Sequence, residues 1–338
     1  MTQEPYTVSI LVPVYGVEKY IERCARSIFE QTYHDLDIVF IDDCTPDKSI
    51  DILKRVLNDY LERKEQTRII KHERNKGIAA TRNTGINVAK GTFLTYVDSD
   101  DWIELNAVEE LVKKQVETGA EIITGLALIN EDTSDMRYIE PVYKNKEEML
   151  TNILSQPCHH ELWGRLFKKS LFYDVKALEG NNFGEDLRLL TMSVWYANKV
   201  SRLDKSIYHY RIRENSMVTC DKTWRQTQDA LWQDFNNTLS LKKFFDEKNK
   251  VFSCLALMGG VKKRYFFMPE ACKHHDRPLY NAVQKELLSG NSAMLKRALG
   301  YKIYVIISSP FSYYILPLYL WAAPKLNFLF RLIRHKRN

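Results

Sequence analysis

Between residues 7 and 128, strand-length apolar runs alternate with amphipathic stretches, and this rhythm leaves few architectures open. "TVSILVPV" (7–14) is continuous and β-branched, and Ile21, Cys24, Ala25 and Ile28 then recur at helical spacing. "LDIVFIDD" (36–43) is the second run, followed by Ile52, Leu53, Val56, Leu57 and Tyr60 on one helical face. "RIIKH" (68–72) reads as a short third strand and "NKGIAATRNTGINVAKG" as a helix that ends by Gly91. "TFLTYV" and "AEIITGLAL" are two further strands, separated by a helix expected from about Leu105 to Thr118. Uninterrupted apolar strands are buried on both faces, which predicts an α/β fold with a mostly parallel sheet sandwiched by helices. Ligands in such sheets bind outside the carboxyl ends of the strands. Val14 and Tyr15, Asp42 and Asp43, Asn75, and Asp98 to Asp101 all follow strands, so all are expected along one edge.

A chain of 338 residues with 45% hydrophobic content can bury one large core or two ordinary ones. The polar stretch from about 130 to 145 reads as a linker. The expected organisation is one domain over 1–220, with halves at 1–130 and 131–220, then a helical region at 221–300 and an apolar, basic tail at 301–338. Six cysteines (24, 44, 158, 220, 254 and 272) lack C-x-x-C spacing, which fits reduced thiols in a cytoplasmic protein. "MTQEPYTVSILVPVYG" has no basic n-region, so no signal peptide is expected. Pro310, Pro317 and Pro324 divide the aromatic tail into pieces shorter than the roughly 20 residues of a spanning helix. Tyr and Trp followed by "RLIRHKRN" suit peripheral attachment to the anionic inner face of the cell membrane; the alternative is a segment packed on protein. The net charge of +6 comes largely from that end, and no nucleic-acid motif accompanies it.

The chemistry concentrates in "FLTYVDSDDWIEL" (93–105). Side chains two apart on an extended segment point the same way, so Asp98 and Asp100 can converge on a hard cation, Mg²⁺ or Mn²⁺, while Asp101 caps the next helix. Asp42 and Asp43 can accept hydrogen bonds from a base N–H or a ribose hydroxyl; Arg82 either assists there or pairs with the aspartates. In "GEDLRLL", Glu185 and Asp186 open an apparent helix, whose N-terminus favours their ionised forms and suits a general base. His209 is either a further metal ligand or a structural residue, and Trp163 either a stacking face for an acceptor sugar or a core residue. "CHHE" and "CKHH" lack a zinc spacing, and neither a P-loop, a G-x-G-x-x-G after the first strand, nor a G-x-S-x-G is present.

In order and spacing, "SILVPVYGVEKYIERCARSIFEQTYHDLDIVFIDDCTPDKSIDI", "NKGIAATRNTGINVAKGTFLTYVDSDDWI" and "GEDLRLL" resemble the family 2 glycosyltransferases with a GT-A-type nucleotide-sugar domain, over about residues 7–215. The resemblance implies that Pro13, Val14 and Tyr15 contact the base, that Asp43 with Asp42 reads uracil, and that Asn75 and Arg82 close over it. It implies Asp98, with Ser99 beside it, at ribose and metal, and Asp100 as direct metal ligand. Asp186 becomes the general base with Glu185 its neighbour, and Arg211, Arg213 and Ser216 reach over the diphosphate. "DDCTPD" departs from the common "DDgStD" form at Cys44 and Pro46. The implied activity is inverting, metal-dependent transfer from a UDP-sugar to a glycan or polyprenyl-linked acceptor, in bacterial surface polysaccharide synthesis. Two rivals are a sugar nucleotidyltransferase, which should carry a Gly-rich basic loop where this chain has "VPVYGVEKY", and a non-catalytic glycan-binding scaffold.

Overall fold

A computed structural model describes residues 6–131, 134–138, 143–155, 160–212, 223–265, 267–278, 280–281, 284–285 and 316. The chain divides into two compact units, Met1–Lys222 and Thr223–Asn338.

In the first unit, strands β1 (Val8–Val14), β2 (Leu36–Asp42), β3 (Thr67–Lys71) and β4 (Phe93–Tyr96) lie parallel in the order β3-β2-β1-β4. Helices α1 (Ile21–Phe29), α2 (Ser49–Leu57) and α3 (Ile78–Val88) make the crossovers. Every residue of β2 is buried, as is all of β1 except Pro13, which is what the uninterrupted apolar runs require. Full burial of each such Ile, Val or Phe stabilises the fold by roughly 1.5–3 kcal/mol before entropy is counted. Val14 stands opposite Asp42 in the register, so the acids that end β2 and the turn after β4 share the carboxyl edge.

The rest of this unit is more mixed than apolar runs can specify. After β5 (Trp102–Ile103) and α4 (Ala107–Thr118) come β6 (Ile122–Glu131), β7 (Ser134–Tyr138), α5 (Lys146–Ser155), β8 (Arg165–Lys168), α6 (Glu185–Tyr196) and β9 (Val200–Arg211). β8 runs antiparallel between β4 and β6, β9 lies parallel to β6, and β5 pairs antiparallel with β9 at the far edge. The stretch expected to be a linker is partly strand: β6 continues to Glu131 and β7 folds back on it. α4 starts two residues later than expected because the Glu104 N–H extends the β5 pairing to the Ile207 carbonyl. Along β9, Arg202 to Tyr208 stand opposite only Thr124 to Ala127, a bulge of three surplus residues.

In the second unit α7 (Trp224–Asp246), α8 (Lys250–Tyr265) and α9 (Phe267–Lys273) are helical as the pattern predicts. Thr223 and Gln226 form a reciprocal capping box at the start of α7. Apart from Leu316, the apolar tail lies outside the described residues. Among the described residues no helix is long and apolar enough to cross a membrane.

Gly91 is the tightest point in the return from α3 to β4. Its N–H donates to Ser9 Oγ at 2.8 Å, and a Cβ there would fall 2.6 Å from the Ser9 nitrogen and 2.7 Å from the Thr7 and Phe93 carbonyl oxygens. All three neighbours are backbone and cannot rotate away. Gly91→Ala should cost about 1–3 kcal/mol or more in urea unfolding, with no change in the slope of the transition.

Candidate active site

The site is built around one buried cation. Arg82 on α3 is 4% exposed, and its guanidinium meets Asp98 Oδ1 at 3.2 Å, Asp186 Oδ1 at 3.4 Å and Glu185 Oε1 at 3.9 Å. Its Cζ lies 5.1 Å from the Tyr96 ring centroid. Arg82 therefore pairs with the acids, joining the turn after β4 to the first turn of α6. Burial works against its charge, but Asp186, Asp98 and Glu185 outweigh burial and raise its pKa further. Asp98 is pushed up to about 6, chiefly by burial and then by Asp186 and Asp100, with Arg82 opposing. Burial and the neighbouring Asp186 push Glu185 well above the usual carboxylate range. One cation thus serves three acids. Arg82 Nε, Asp98 Oδ1 and Asp186 Oδ1 are buried at ion-pair range without an aligned hydrogen bond, and Arg82 Nη1 is buried without one too.

The residue after Arg82 completes the connection. The Asn83 amide donates to the Ala177 carbonyl at 3.0 Å and accepts from the Ala177 N–H at 2.8 Å. Asn182 Oδ1 accepts the Ala79 N–H at 3.2 Å, at the start of α3. Gly77 (φ +84°) precedes that start, and any Cβ on it would collide with the Asn182 side chain. The segment 177–182 is so fastened to α3, and Gly184, in the left-handed region at φ +77°, turns the chain into α6 with Glu185 and Asp186 beside Arg82.

Residues 98–101 depart from the expected extended geometry. β4 ends at Tyr96, and the Asp101 N–H closes a turn onto the Asp98 carbonyl at 3.0 Å, so strand alternation does not aim Asp98 and Asp100. Asp101 is no helix cap either. Its carboxylate accepts the Tyr208 hydroxyl at 2.7 Å and the Arg211 N–H at 2.8 Å, and the Tyr208 oxygen accepts the Asp98 N–H at 3.1 Å. Burial, then Asp100 and Asp98, push Asp101 well up; burial and Asp101 do the same to Tyr208, which keeps the phenol neutral and donating. Trp102 forms β5, paired antiparallel with β9. His209 is engaged elsewhere than in an acid cluster: Nε2 lies 2.6 Å from Glu104 Oε1 and the ring stacks on Trp102 at 4.8 Å. Among the described residues no three His, Cys, Asp or Glu side chains form a metal cage. A hard cation at this turn would have to draw most of its ligands from phosphate and water, the usual mode of Mg²⁺.

On the β2 side, Asp43 accepts the Lys76 and Gly77 N–H groups at 2.8 Å each and lies 2.7 Å from His72 Nδ1. His72 Nε2 meets Thr84 Oγ1 at 2.9 Å. Three of about four acceptor positions on the carboxylate are taken, leaving room for one more donor. Asp42 accepts the Thr45 N–H at 2.8 Å. Cys44 stands at φ +57°, a left-handed position where the common motif has Gly. Tyr15 and Asn75 are exposed, Pro13 is half-buried, and Val14 and Ser99 are buried. Trp163 is in the core, stacked on Tyr208 at 4.5 Å and on Tyr210 at 5.7 Å, so its faces are spent on packing instead of an acceptor sugar. Arg211 projects its guanidinium toward Tyr20 and Trp102, while Arg213 and Ser216 lie outside the described residues. His72, Asn182 and Tyr208 were not singled out from sequence. Only His72, a polar residue just after a short strand and level with the acid pair, carried a signal there.

A parallel sheet edge that gathers three acids from two elements around a single guanidinium suits the nucleotide-sugar domain of a GT-A fold. Residues 9–174 match the family model for glycosyl transferase family 2, and the domain they form belongs to that family. The chain is 36% identical over 238 residues to the glycosyltransferase GlyA of Streptococcus pneumoniae, covering 66% of this chain and 33% of GlyA, so it spans only a third of that relative's length. Among solved structures it resembles TarS 1-349 of S. aureus in complex with UDP-GlcNAc, with a TM-score of 0.68, 18% identity, and 89% and 90% of the two chains covered. It also resembles the mannosyltransferase PcManGT from Pyrobaculum calidifontis in complex with GDP-Man and Mn²⁺, with a TM-score of 0.51, 14% identity, and 96% and 87% covered.

Removing the cation at the centre should expose the cost of its acids. Arg82→Ala should destabilise the metal-free protein by about 3–5 kcal/mol at pH 7.5. Asp98 sits near 6 in the folded state against an ordinary 3.8, and Glu185 is raised too, so their contribution is present below about pH 4 and lost as pH rises through about 6. Urea unfolding in EDTA should therefore show wild type and variant both gaining stability from pH 7.5 to 5.5. The variant should gain more, because Arg82 is what holds Asp98 down.

Proposed function

We propose that this chain transfers a sugar from a nucleotide diphosphate donor, UDP-linked, to a hydroxyl of a glycan or lipid-linked acceptor, with inversion and with a divalent cation. The observation that carries this reading is Arg82, which holds the Asp98 turn and Asp186 within reach of one guanidinium. Donor-side and base-side carboxylates so meet at one guanidinium. The spare acceptor position on Asp43 suits a pyrimidine N3–H, and exposed Tyr15 and Asn75 flank that edge. TarS with UDP-GlcNAc and PcManGT with GDP-Man and Mn²⁺ support a nucleotide-sugar donor and a cation for this fold.

In this mechanism Asp186 accepts the acceptor hydroxyl proton as that oxygen attacks the anomeric carbon. Burial and the neighbouring Asp186 push Glu185 toward its neutral form. Asp98 and Asp100 would hold the cation, which when bound would offset the charge of the leaving diphosphate. A single displacement inverts the anomeric carbon. Surface polysaccharide synthesis at the inner face of the cell membrane is the setting that fits a likeness to a bacterial glycosyltransferase and the basic aromatic tail.

A panel of nucleotide sugars with Mn²⁺ or Mg²⁺, scored for nucleoside diphosphate release, tests the reading. Asp186→Asn should lower kcat by roughly 10²–10⁴ with little change in donor KM, and Asp100→Ala should abolish the metal response. NMR of the product should show the opposite anomer to the donor; retention rejects the single displacement. Absence of release from every donor and acceptor pair points to the glycan-binding scaffold.

A further inference from the structure

Arg82 is committed to three carboxylates and cannot also neutralise a departing diphosphate. A second set of cations stands beside the same turn. The first turn of α1 is placed there, with Cys24 Sγ 3.7 Å from the Asp98 carbonyl. One residue earlier, Arg23 lays its guanidinium on Trp102, Cζ 3.3 Å from the ring centroid. Arg211 approaches the same ring at 5.0 Å and Tyr20 at 5.3 Å, its backbone N–H anchored on Asp101. Among the described residues neither guanidinium has a carboxylate partner, whereas Arg26, on the same helix, pairs with both Glu22 and Asp59. Glu104, the acid nearest in sequence to Trp102 on its far side, is engaged by His209. Arg211 Nε is buried without a hydrogen bond.

Two unneutralised guanidinium groups on one indole repel each other, and Arg23 is lowered first by burial and then by Arg211. Stacking on an aromatic face fixes the guanidinium plane and leaves its N–H edge free, the geometry that suits a tetrahedral oxyanion. Trp102 follows directly on the Asp98–Asp101 turn, so an anion seated on these edges would lie next to the carboxylates that would hold the cation.

We infer that Arg23 and Arg211, gathered on Trp102, form a phosphate clamp for the diphosphate of the nucleotide sugar. The inference rests on the donor reading above and assigns Arg23 and Trp102, which neither the motifs nor the comparisons single out. As the bond between the anomeric carbon and the diphosphate oxygen breaks, its electron pair leaves with the diphosphate, and the clamp meets the added negative charge. The new bond forms from the acceptor oxygen, whose proton passes to Asp186. A phosphate carried by the acceptor has the same chemistry, and the test separates the two sources.

Isothermal titration of the full chain in EDTA with UDP and UMP, and in parallel GDP and GMP, supplies a readout independent of turnover. Arg23 is exposed, so Arg23→Gln should fold, with its thermal melt as the check. The expected result is about tenfold weaker binding of the diphosphate, less than threefold for the monophosphate, and partial recovery in Arg23→Lys. Equal losses for both nucleotides, or unchanged diphosphate affinity, overturn the clamp. Unchanged diphosphate affinity with a raised KM for a polyprenyl-phosphate acceptor likewise overturns it and moves the phosphate to the acceptor. A wild type that binds none of the four nucleotides removes the donor reading and the clamp together; a wild type that binds them with no change in Arg23→Gln removes the clamp alone.

Discussion

A guanidinium taken out of water costs several kcal/mol unless acids repay it, and here the three acids come from parts of the chain that otherwise have little reason to meet. Arg82 draws together α3, the turn after β4 and the start of α6, whose sequence positions span about a hundred residues. The arrangement is reciprocal. Without Arg82 the carboxylates repel one another, and without the carboxylates the guanidinium would be a buried charge with nothing to offset its desolvation. The adjacent Asn83 adds two neutral hydrogen bonds to Ala177, so consecutive residues on α3 supply an electrostatic and a geometric hold on the same segment. The fold therefore keeps its two acidic groups close by a means that does not depend on ligand.

The parallel half of the domain was legible because β1, β2 and β4 are buried on both faces, which writes an unbroken apolar run into the sequence, while the edge strand β3 is only half-buried and correspondingly short. β8 and β9 carry no such run. β8 is four residues long, and β9 mixes Arg202, Asp204 and Lys205 with Leu203 and Ile207, since its bulged stretch faces water. The acids at the carboxyl edge were found by the same logic as the strands, but their orientation was not. A turn closed by one backbone hydrogen bond replaced the extended geometry, and the partners of Asp101 lie more than a hundred residues away. His209 and Trp163 illustrate the same limit: both are explained by rings brought from distant strands.

Aromatic side chains divide β9 into two working faces. Tyr208 and Tyr210 pack with Trp163, and the Tyr208 hydroxyl carries that packing through to the turn as hydrogen bonds. His209 and Arg211 turn toward Trp102 instead. Core packing and the Arg211 guanidinium are thus interleaved on one strand, which ties the position of that cation to the packing behind it.

The bulge upstream on β9 gives that interleaving a parity. Between matched partners β9 advances from 202 to 208 while β6 advances from 124 to 127, a surplus of three residues, and an odd surplus inverts the phase of every side chain beyond it. Deleting one residue between Leu203 and Ile207 would present tyrosines to solvent and bury an arginine, although no residue of the site had been touched. Natural variation in the length of this stretch should come only in steps of two, a grammatical rule imposed on a loop-like segment by chemistry several residues downstream.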